Sequence, residues 1–213
     1  MNIPSLSKGS GKVPIQVPDY FVGIRVSSPI LADLRHQIIS KTPQAERMIL
    51  DPCESHVTLG IVQVDDGTGD PLVSLQKVIQ GFTNGASKAR GAVGRFSMDF
   101  DTFDTFRGSV LFLKPTPECA ITLGLVRDCI FQEEGISTHW IDNDRQYATH
   151  MTIAKHSRLR KKKVEKMRFD PAVYADVAMS LLPVHSEATS IQLCKIADRQ
   201  KGEYYTIVAE ELL

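Results

Sequence analysis

The chain has no excess of charge of either sign, since Lys plus Arg and Asp plus Glu each number 25 among its 213 residues. A balanced chain has no overall field that attracts nucleic acid or an anionic membrane, so any polyanion must be bound by local groups. Hydrophobic residues make up 42% of the sequence, which is enough for a substantial core. No apolar run approaches the length of a membrane span.

The sequence also lacks C-x-x-C pairs, a secretory leader and an internal linker. Its cysteines lie far apart, so we expect reduced thiols in a cytoplasmic or nuclear protein. The segment 1–18 is rich in Ser, Gly, Lys and Pro and is predicted to be flexible. No linker of that composition divides the remainder, so 19–213 is predicted to form a single domain. The cysteines are Cys53, Cys119, Cys129 and Cys194.

A four-residue pattern occurs twice, as His56-Val57-Thr58-Leu59 and as His150-Met151-Thr152-Ile153. Each copy alternates polar and apolar residues, which is the period of a strand with one buried face. The histidine and threonine of each copy would then share one face, while the apolar residues enter the core. Two such strands side by side would bring two imidazoles and two hydroxyls to one cleft.

Strands and helices are predicted to alternate around both motifs. The predicted strands span 20–26, 56–64, 94–100, 109–113, 150–155, 187–196 and 204–209. The predicted helices span 28–39, 72–79, 117–134 and 171–179. The third helix is predicted to bury Ile121, Leu125, Val126, Cys129 and Ile130 on one face. Each half contributes one motif strand, which predicts two similar lobes facing each other across a groove.

Paired imidazoles suit the cleavage of a phosphodiester without a metal. An unperturbed histidine titrates near pH 6.5, so its neutral and protonated forms coexist near neutrality. One histidine can remove a proton from the attacking hydroxyl or water while the other protonates the leaving oxygen. Thr58 and Thr152, about 6.6 Å further along their strands, can donate to the non-bridging phosphoryl oxygens. This chemistry predicts a bell-shaped pH profile, and the residues leave open which histidine is the acid.

The doubled motif resembles that of the 2H phosphoesterase superfamily, named for two H-x-T/S-x motifs on opposed lobes. Within that group the chain is similar to the central phosphoesterase-like domain of A-kinase anchoring proteins and to the related domain of leukocyte receptor cluster member 9. The resemblance covers the chain from Tyr20 onward. The segments that carry it are 19–22, 56–60, 110–114, 150–155, 191–194 and 202–205.

The resemblance implies an α+β, bilobal LigT-like fold with two pseudo-symmetric sheets and outer helices around a central cleft. It implies a metal-independent, cofactor-free phosphodiesterase acting on 2',5'-linked oligoadenylates, RNA ends or cyclic phosphates. His56 and His150 would be the acid and the base, and Thr58 and Thr152 would bind the phosphate. Two alternatives stay open: a module that binds nucleotides or RNA ends with little turnover, and cyclic-phosphate ring opening or RNA ligation by the same residues.

Other candidate residues have a functional and a structural interpretation. Tyr20, Phe106 and Trp140 are predicted to stack on a base, and packing in the core or a loop is the alternative for each. The basic run 158–166 suits an RNA contact, a nuclear-import patch or a solvated helix face. We expect a nucleotide or RNA oligonucleotide as the partner, no membrane association and a monomer. The acidic residues Asp99, Asp101 and Asp104 suit either a divalent cation or a solvated strand end.

Overall fold

The structure is a computed structural model that describes residues 19–64, 70–137, 148–158, 167–197 and 202–213. The segment 1–18, predicted to be flexible, lies outside the described residues. No helix within the described ranges is long and apolar enough to cross a membrane. All four cysteines are free thiols.

Within the described ranges, eight strands form one antiparallel sheet, and helices cover its apolar face. The strands are β1 (Tyr20–Arg25), β2 (His56–Val62), β3 (Phe96–Phe106), β4 (Val110–Pro115), β5 (Met151–Lys155), β6 (Val184–Ala188), β7 (Ser190–Lys195) and β8 (Ile207–Leu212). The helices are α1 (Ile30–Lys41), α2 (Pro71–Val93), α3 (Pro117–Phe131), α4 (Glu134–Ser137) and α5 (Ala175–Leu181). The strand order is β6-β3-β4-β5-β2-β1-β7-β8.

The sheet divides into two four-stranded halves that join between β5 and β2. The first half contains β1, β2, β7 and β8, and the second half contains β3, β4, β5 and β6. Val57 of β2 lies opposite Met151 of β5, and this is the pair that links the halves. The α+β architecture is confirmed, with one difference from the predicted pair of sheets. The halves are hydrogen-bonded into a single continuous sheet, because the two motif strands themselves pair.

The sheet is bent, because β6 and β7 are separated in the chain by Thr189 alone. In the sheet order five strands lie between them. One residue advances the chain by at most about 3.8 Å, so the end of β6 must lie beside the start of β7. The predicted single strand over 187–196 is therefore two strands, one in each half of the sheet. The halves are also joined by the paired motif strands and by α2, which follows β2 and precedes β3.

Helix starts follow the chemistry expected at these positions. Asp70 caps α2 by accepting a hydrogen bond from the Leu72 backbone N–H at 2.9 Å, and Pro71 occupies the first helical position. The helix continues to Val93, well beyond the predicted 72–79, and ends at Gly94 with φ +59°. Helices α2 and α3 pack together, and buried side chains from strands and helices form one hydrophobic cluster.

Close packing between α2 and α3 depends on Gly85. A Cβ added there would lie 2.5 Å from the Ile130 Cα and 2.8 Å from the Cys129 carbonyl oxygen. Backbone atoms of a packed helix cannot move aside locally, so the helices would have to separate. The exposed Gly91 of the same helix has no such neighbour within 4 Å of an added Cβ.

We expect Gly85→Ala to lower the free energy of unfolding by about 1–3 kcal/mol through overpacking. Gly91→Ala is the matched control and should raise it by up to about 1 kcal/mol, because alanine favours the helix. Urea denaturation followed by circular dichroism measures both. A Gly85→Ala protein as stable as the Gly91→Ala protein would contradict this packing.

Candidate active site

The two motifs place their polar and apolar side chains on opposite faces of the sheet. Val57 and Met151 are fully buried in the hydrophobic cluster, as are the apolar residues two positions further on. The histidines and threonines of both motifs are half-buried on the other side, here called the motif face. The motif face is the side of the sheet that carries His56, Thr58, His150 and Thr152.

The register between β2 and β5 places the histidine of each motif opposite the threonine of the other motif. Val57 lies opposite Met151 in an antiparallel pair. Counting one residue each way places His56 opposite Thr152 and Thr58 opposite His150. Opposed residues have Cβ atoms about 4.5–5.5 Å apart and diagonal ones somewhat further. Each imidazole therefore has the other motif's hydroxyl as its neighbour, and the two imidazoles lie on a diagonal.

A β-bulge follows the threonine of each motif. On β2 the shift leaves Leu59 without a partner on β1, and Leu59 and Gly60 both face the core. On β5 it leaves Ile153 without a partner on β4, with Ile153 and Ala154 both buried. Bulges bend a strand and re-aim its side chains, and they are common beside functional sites. In both motifs, therefore, the regular strand pairing is interrupted at the residue that follows the threonine.

Both histidines have the same ring orientation and tautomer. Nδ1 of His56 lies 2.7 Å from the Glu54 carbonyl oxygen, and Nδ1 of His150 lies 2.7 Å from the Ala148 carbonyl oxygen. A carbonyl oxygen only accepts, so Nδ1 carries the proton in each ring and donates it. In the neutral form the lone pair is then on Nε2, and both rings can act as bases through that atom.

Aromatic rings from β1 and from the segment before β8 surround His56. The Phe21 ring lies 4.8 Å from the imidazole, and the Tyr205 ring meets it edge-on at 5.2 Å. Tyr204 is further away at 6.5 Å, also edge-on. These tyrosines precede β8, so the C-terminal part of the chain forms one side of the site.

A second aromatic set surrounds His150. The Phe106 and Phe112 rings meet the imidazole at 4.9 Å and 5.2 Å and stack on each other at 4.2 Å. Desolvation lowers the pKa of His150, the hydrogen bond to the Ala148 carbonyl raises it, and the Lys155 charge lowers it. The net direction is downward, so this ring is neutral over a wider pH range than an exposed histidine.

The three aromatic residues predicted to stack on a base lie in different places. Phe106 lies beside His150 and is 36% exposed. Tyr20 is half-buried and packs against the hydrophobic core, and its neighbour Phe21 is the ring beside His56. Trp140 lies outside the described residues, as does the basic run over 159–166.

Two cations on the motif face were not found from the sequence. Arg25 of β1 lies opposite His56, and its guanidinium carbon is 4.8 Å from the centre of the Tyr204 ring. Lys114 of β4 follows Leu113, the partner of Met151, and its Nζ is 2.6 Å from Asp104 Oδ2. The hydrogen bond from Lys114 lowers the pKa of Asp104. Only strand pairing brings these residues beside the motifs.

The acidic residues considered for a divalent cation have other partners. Asp99 Oδ1 is 2.5 Å from Nδ1 of His185, and Asp104 is paired with Lys114. Asp101 accepts a hydrogen bond from the Thr102 hydroxyl at 2.8 Å. Within the described part of the chain, no group of three metal-ligating side chains converges.

Solved structures share this fold at low sequence identity. LigT of E. coli, complexed with 3'-AMP, is 13% identical over 93% of this chain and 99% of that chain, with a TM-score of 0.56. TT0787 of Thermus thermophilus is 17% identical over 92% and 97%, with a TM-score of 0.60. Usb1 of Kluyveromyces marxianus, with uridine monophosphate, is 10% identical over 91% and 97%, with a TM-score of 0.53. No curated protein sequence matches the chain.

The match of a family model to the sequence, together with the shared fold, identifies the chain as a member of the 2H phosphoesterase superfamily. A family model described as the AKAP7 2'5' RNA ligase-like domain matches residues 18–213, nearly the whole sequence. The chain belongs to this family.

The shared hydrogen bonding predicts that both motif histidines are Nδ1–H tautomers when neutral. Long-range ¹⁵N–¹H correlation spectra at pH 8 should show an unprotonated Nε2 in both rings, with each signal assigned by the loss of that signal in His56→Gln or His150→Gln. An Nε2–H tautomer in either ring would contradict the geometry.

The aromatic cover predicts the direction of the His150 titration. Its pKa should lie below the ordinary value of about 6.5 and should rise in Phe106→Ala, because water then reaches the imidazole. Phe106→Leu keeps an apolar cover and is the control, with a smaller change. NMR titration of the His150 ring measures all three proteins.

The same lowered pKa links stability to pH. Because the unfolded chain binds this proton more tightly than the folded one, the free energy of unfolding should fall as the pH drops below about 6.5. His150→Gln should reduce that slope. An unchanged or higher His150 pKa in the folded protein would contradict both expectations.

Proposed function

We propose that this protein is a metal-independent phosphodiesterase that cleaves nucleotide or RNA phosphodiesters, and 2',5'-linked oligoadenylate in particular. The observation that carries the proposal is the pairing of two imidazoles with the same tautomer on adjacent strands, each opposite the other motif's threonine. The family's RNA ligase-like description supports a nucleotide phosphodiester as substrate.

In this proposal the histidines move protons through their Nε2 atoms. One neutral imidazole accepts the proton of the attacking water or hydroxyl as the new P–O bond forms. The other, protonated at Nε2, gives its proton to the leaving alkoxide as the old P–O bond breaks. After one turnover each ring holds the opposite protonation state, and exchange with water restores both.

The surroundings of the two rings support an assignment of roles. A base must be neutral before the reaction, and the lowered pKa of His150 favours its neutral form near pH 7. We therefore assign His150 as the general base and His56 as the general acid. Activity should then fall on the acid side of the profile as His150 becomes protonated.

The two threonines suit binding of the phosphoryl group. Thr58 and Thr152 share the motif face with the imidazoles, and a hydroxyl donates readily to a phosphoryl oxygen. Donors held in place before the reaction stabilise the charge that develops on the non-bridging oxygens. Carbonyls orient both imidazoles, so the site needs little rearrangement to reach this geometry.

Nucleotides bound to proteins of the same fold support the substrate class. E. coli LigT is described with 3'-AMP and K. marxianus Usb1 with uridine monophosphate. Both are mononucleotides with a phosphate and a base. We propose that this chain also binds a nucleotide phosphate at the motif face, beside the rings of Phe21, Phe106 and Phe112.

Two alternatives use the same residues. A binding module would retain nucleotides or RNA ends at the motif face and release them unchanged. Ligation or cyclic-phosphate ring opening would apply the same proton transfers to a different ester. Product analysis separates both from phosphodiester cleavage.

The proposal predicts that His56→Ala and His150→Ala each reduce kcat by about 10²–10⁴, since each removes one proton-transfer group. Thr58→Val and Thr152→Val should each lower kcat by a smaller factor, because one hydrogen bond to the phosphate is lost. Wild-type activity should survive a chelator. Chromatography that resolves the products of 2',5'- and 3',5'-linked adenylates and of 2',3'-cyclic phosphates measures these effects.

Circular dichroism controls for folding of each variant, and His185→Ala is a matched control because His185 lies on β6, away from both motifs. Absence of cleavage for every substrate, with tight mononucleotide binding, would select the binding module. Loss of activity on chelation would contradict the mechanism.

A further inference from the structure

Arg25 is an exposed cation directly beside one of the two motif histidines. It ends β1 and lies opposite His56, so both side chains project from the motif face. Its guanidinium carbon is 4.8 Å from the centre of the Tyr204 ring, which in turn lies 6.5 Å from the His56 ring. A guanidinium stacked on a ring has its plane oriented, while its N–H groups at the edge remain available to an anion.

The two halves of the sheet differ in charge at this position. In the second half the corresponding cation, Lys114, is tied to Asp104 by a 2.6 Å ion pair. In the first half no carboxylate of the described residues pairs with Arg25. Among the described residues, the motif face therefore carries a cation paired with a carboxylate beside His150 and a cation without a carboxylate partner beside His56.

We propose that Arg25 binds a second phosphate of the substrate, the one next to the scissile phosphate, so that an oligonucleotide leaves the site across β1. This inference rests on the proposed phosphodiesterase function and adds the direction of the substrate chain. Guanidinium groups pair with phosphate through two parallel N–H···O bonds, which favours Arg25 for this role. Arg25 and His56 are opposed residues on paired strands, and such residues have Cα atoms about 4.5–5.5 Å apart. Because the arginine side chain is the longer of the two, its guanidinium reaches beyond the phosphate at His56.

A structural role for Arg25 makes a different prediction. An exposed cation–π contact stabilises a protein by about 0.5–1 kcal/mol and has no preference for substrate length. A phosphate contact distinguishes a substrate with two phosphates from one with a single phosphate. Substrate length and salt dependence therefore separate the two roles.

The experiment compares a linked adenylate dimer, with one phosphate, and the trimer, with two, in the linkage that the wild type cleaves. Arg25→Gln should raise KM for the trimer about tenfold, equivalent to about 1.4 kcal/mol, and leave kcat and the dimer's KM within about twofold. The slope of log(1/KM) against log salt for the trimer should become less steep by about 0.7, the value for one phosphate contact on a single strand.

Two variants serve as controls. Arg25→Lys keeps the charge and should retain most of the trimer preference and the salt slope. Lys114→Gln removes a cation that Asp104 already compensates, so it should leave the ratio of trimer to dimer KM unchanged. If the wild type binds without turnover, Kd for dimer and trimer replaces KM in every comparison.

Each result has a definite meaning. If Arg25→Gln weakens dimer and trimer equally, or leaves the salt slope unchanged, Arg25 is structural and the inference fails while the proposed function stands. If Lys114→Gln changes the ratio of trimer to dimer KM as much as Arg25→Gln does, the preference for the trimer reflects the general positive charge of the motif face. That result would also overturn the inference. A wild type that neither binds nor cleaves either compound would overturn both the inference and the proposed function.

Discussion

The antiparallel pairing of β2 with β5 is the constraint on which the site depends. A strand presents alternate residues to opposite faces, so burial of Val57 and Met151 commits the four motif side chains to the other face. A slip of either strand by one residue would send the imidazole of that strand into the core. Because the apolar residues of both strands are in one hydrophobic cluster, the free energy of burial maintains the register, and the register maintains the site.

The two halves of the site are alike in backbone and unlike in surroundings. Each histidine donates through Nδ1 to the carbonyl two residues earlier, and a bulge follows each threonine. The neighbours differ, because tyrosines and Arg25 lie beside His56, whereas stacked phenylalanines lie beside His150. In the proposed acid–base mechanism the two histidines need different protonation states, and the unequal surroundings of the two rings are consistent with that requirement.

The bend of the sheet follows from connectivity as much as from packing. Strands β6 and β7 belong to different halves and are one residue apart, so the halves are joined at Thr189 as well as by the motif strands. These connections, together with α2 between β2 and β3, restrict how far the halves can move relative to each other. Proteins only 10–17% identical to this chain share the fold, which indicates that the strand order tolerates extensive change of side chains.

The sequence alone predicted the two motif strands, the face shared by histidine and threonine, and the alternation of helices and strands. These features depend on local period and on residues close in the chain. It also placed an aromatic at Phe106, which lies beside His150. The predicted ends of helices and strands were less accurate. Helix α2, for example, continues to Val93, well beyond the apolar repeat over 72–79 from which it was predicted, because its C-terminal part is stabilised by tertiary packing.

Tertiary structure alone decided which residues complete the site. Arg25, Phe21 and Tyr205 come from distant segments, and only strand pairing and the path of the chain before β8 bring them to His56. The predicted face of α3 was wrong in part for the same reason: Ile121 and Leu125 are 67% and 53% exposed, while Cys119 and Leu123 are buried. Sequence period defines a set of apolar positions, but which of them are buried depends on the neighbours, and these are fixed only when the chain is folded.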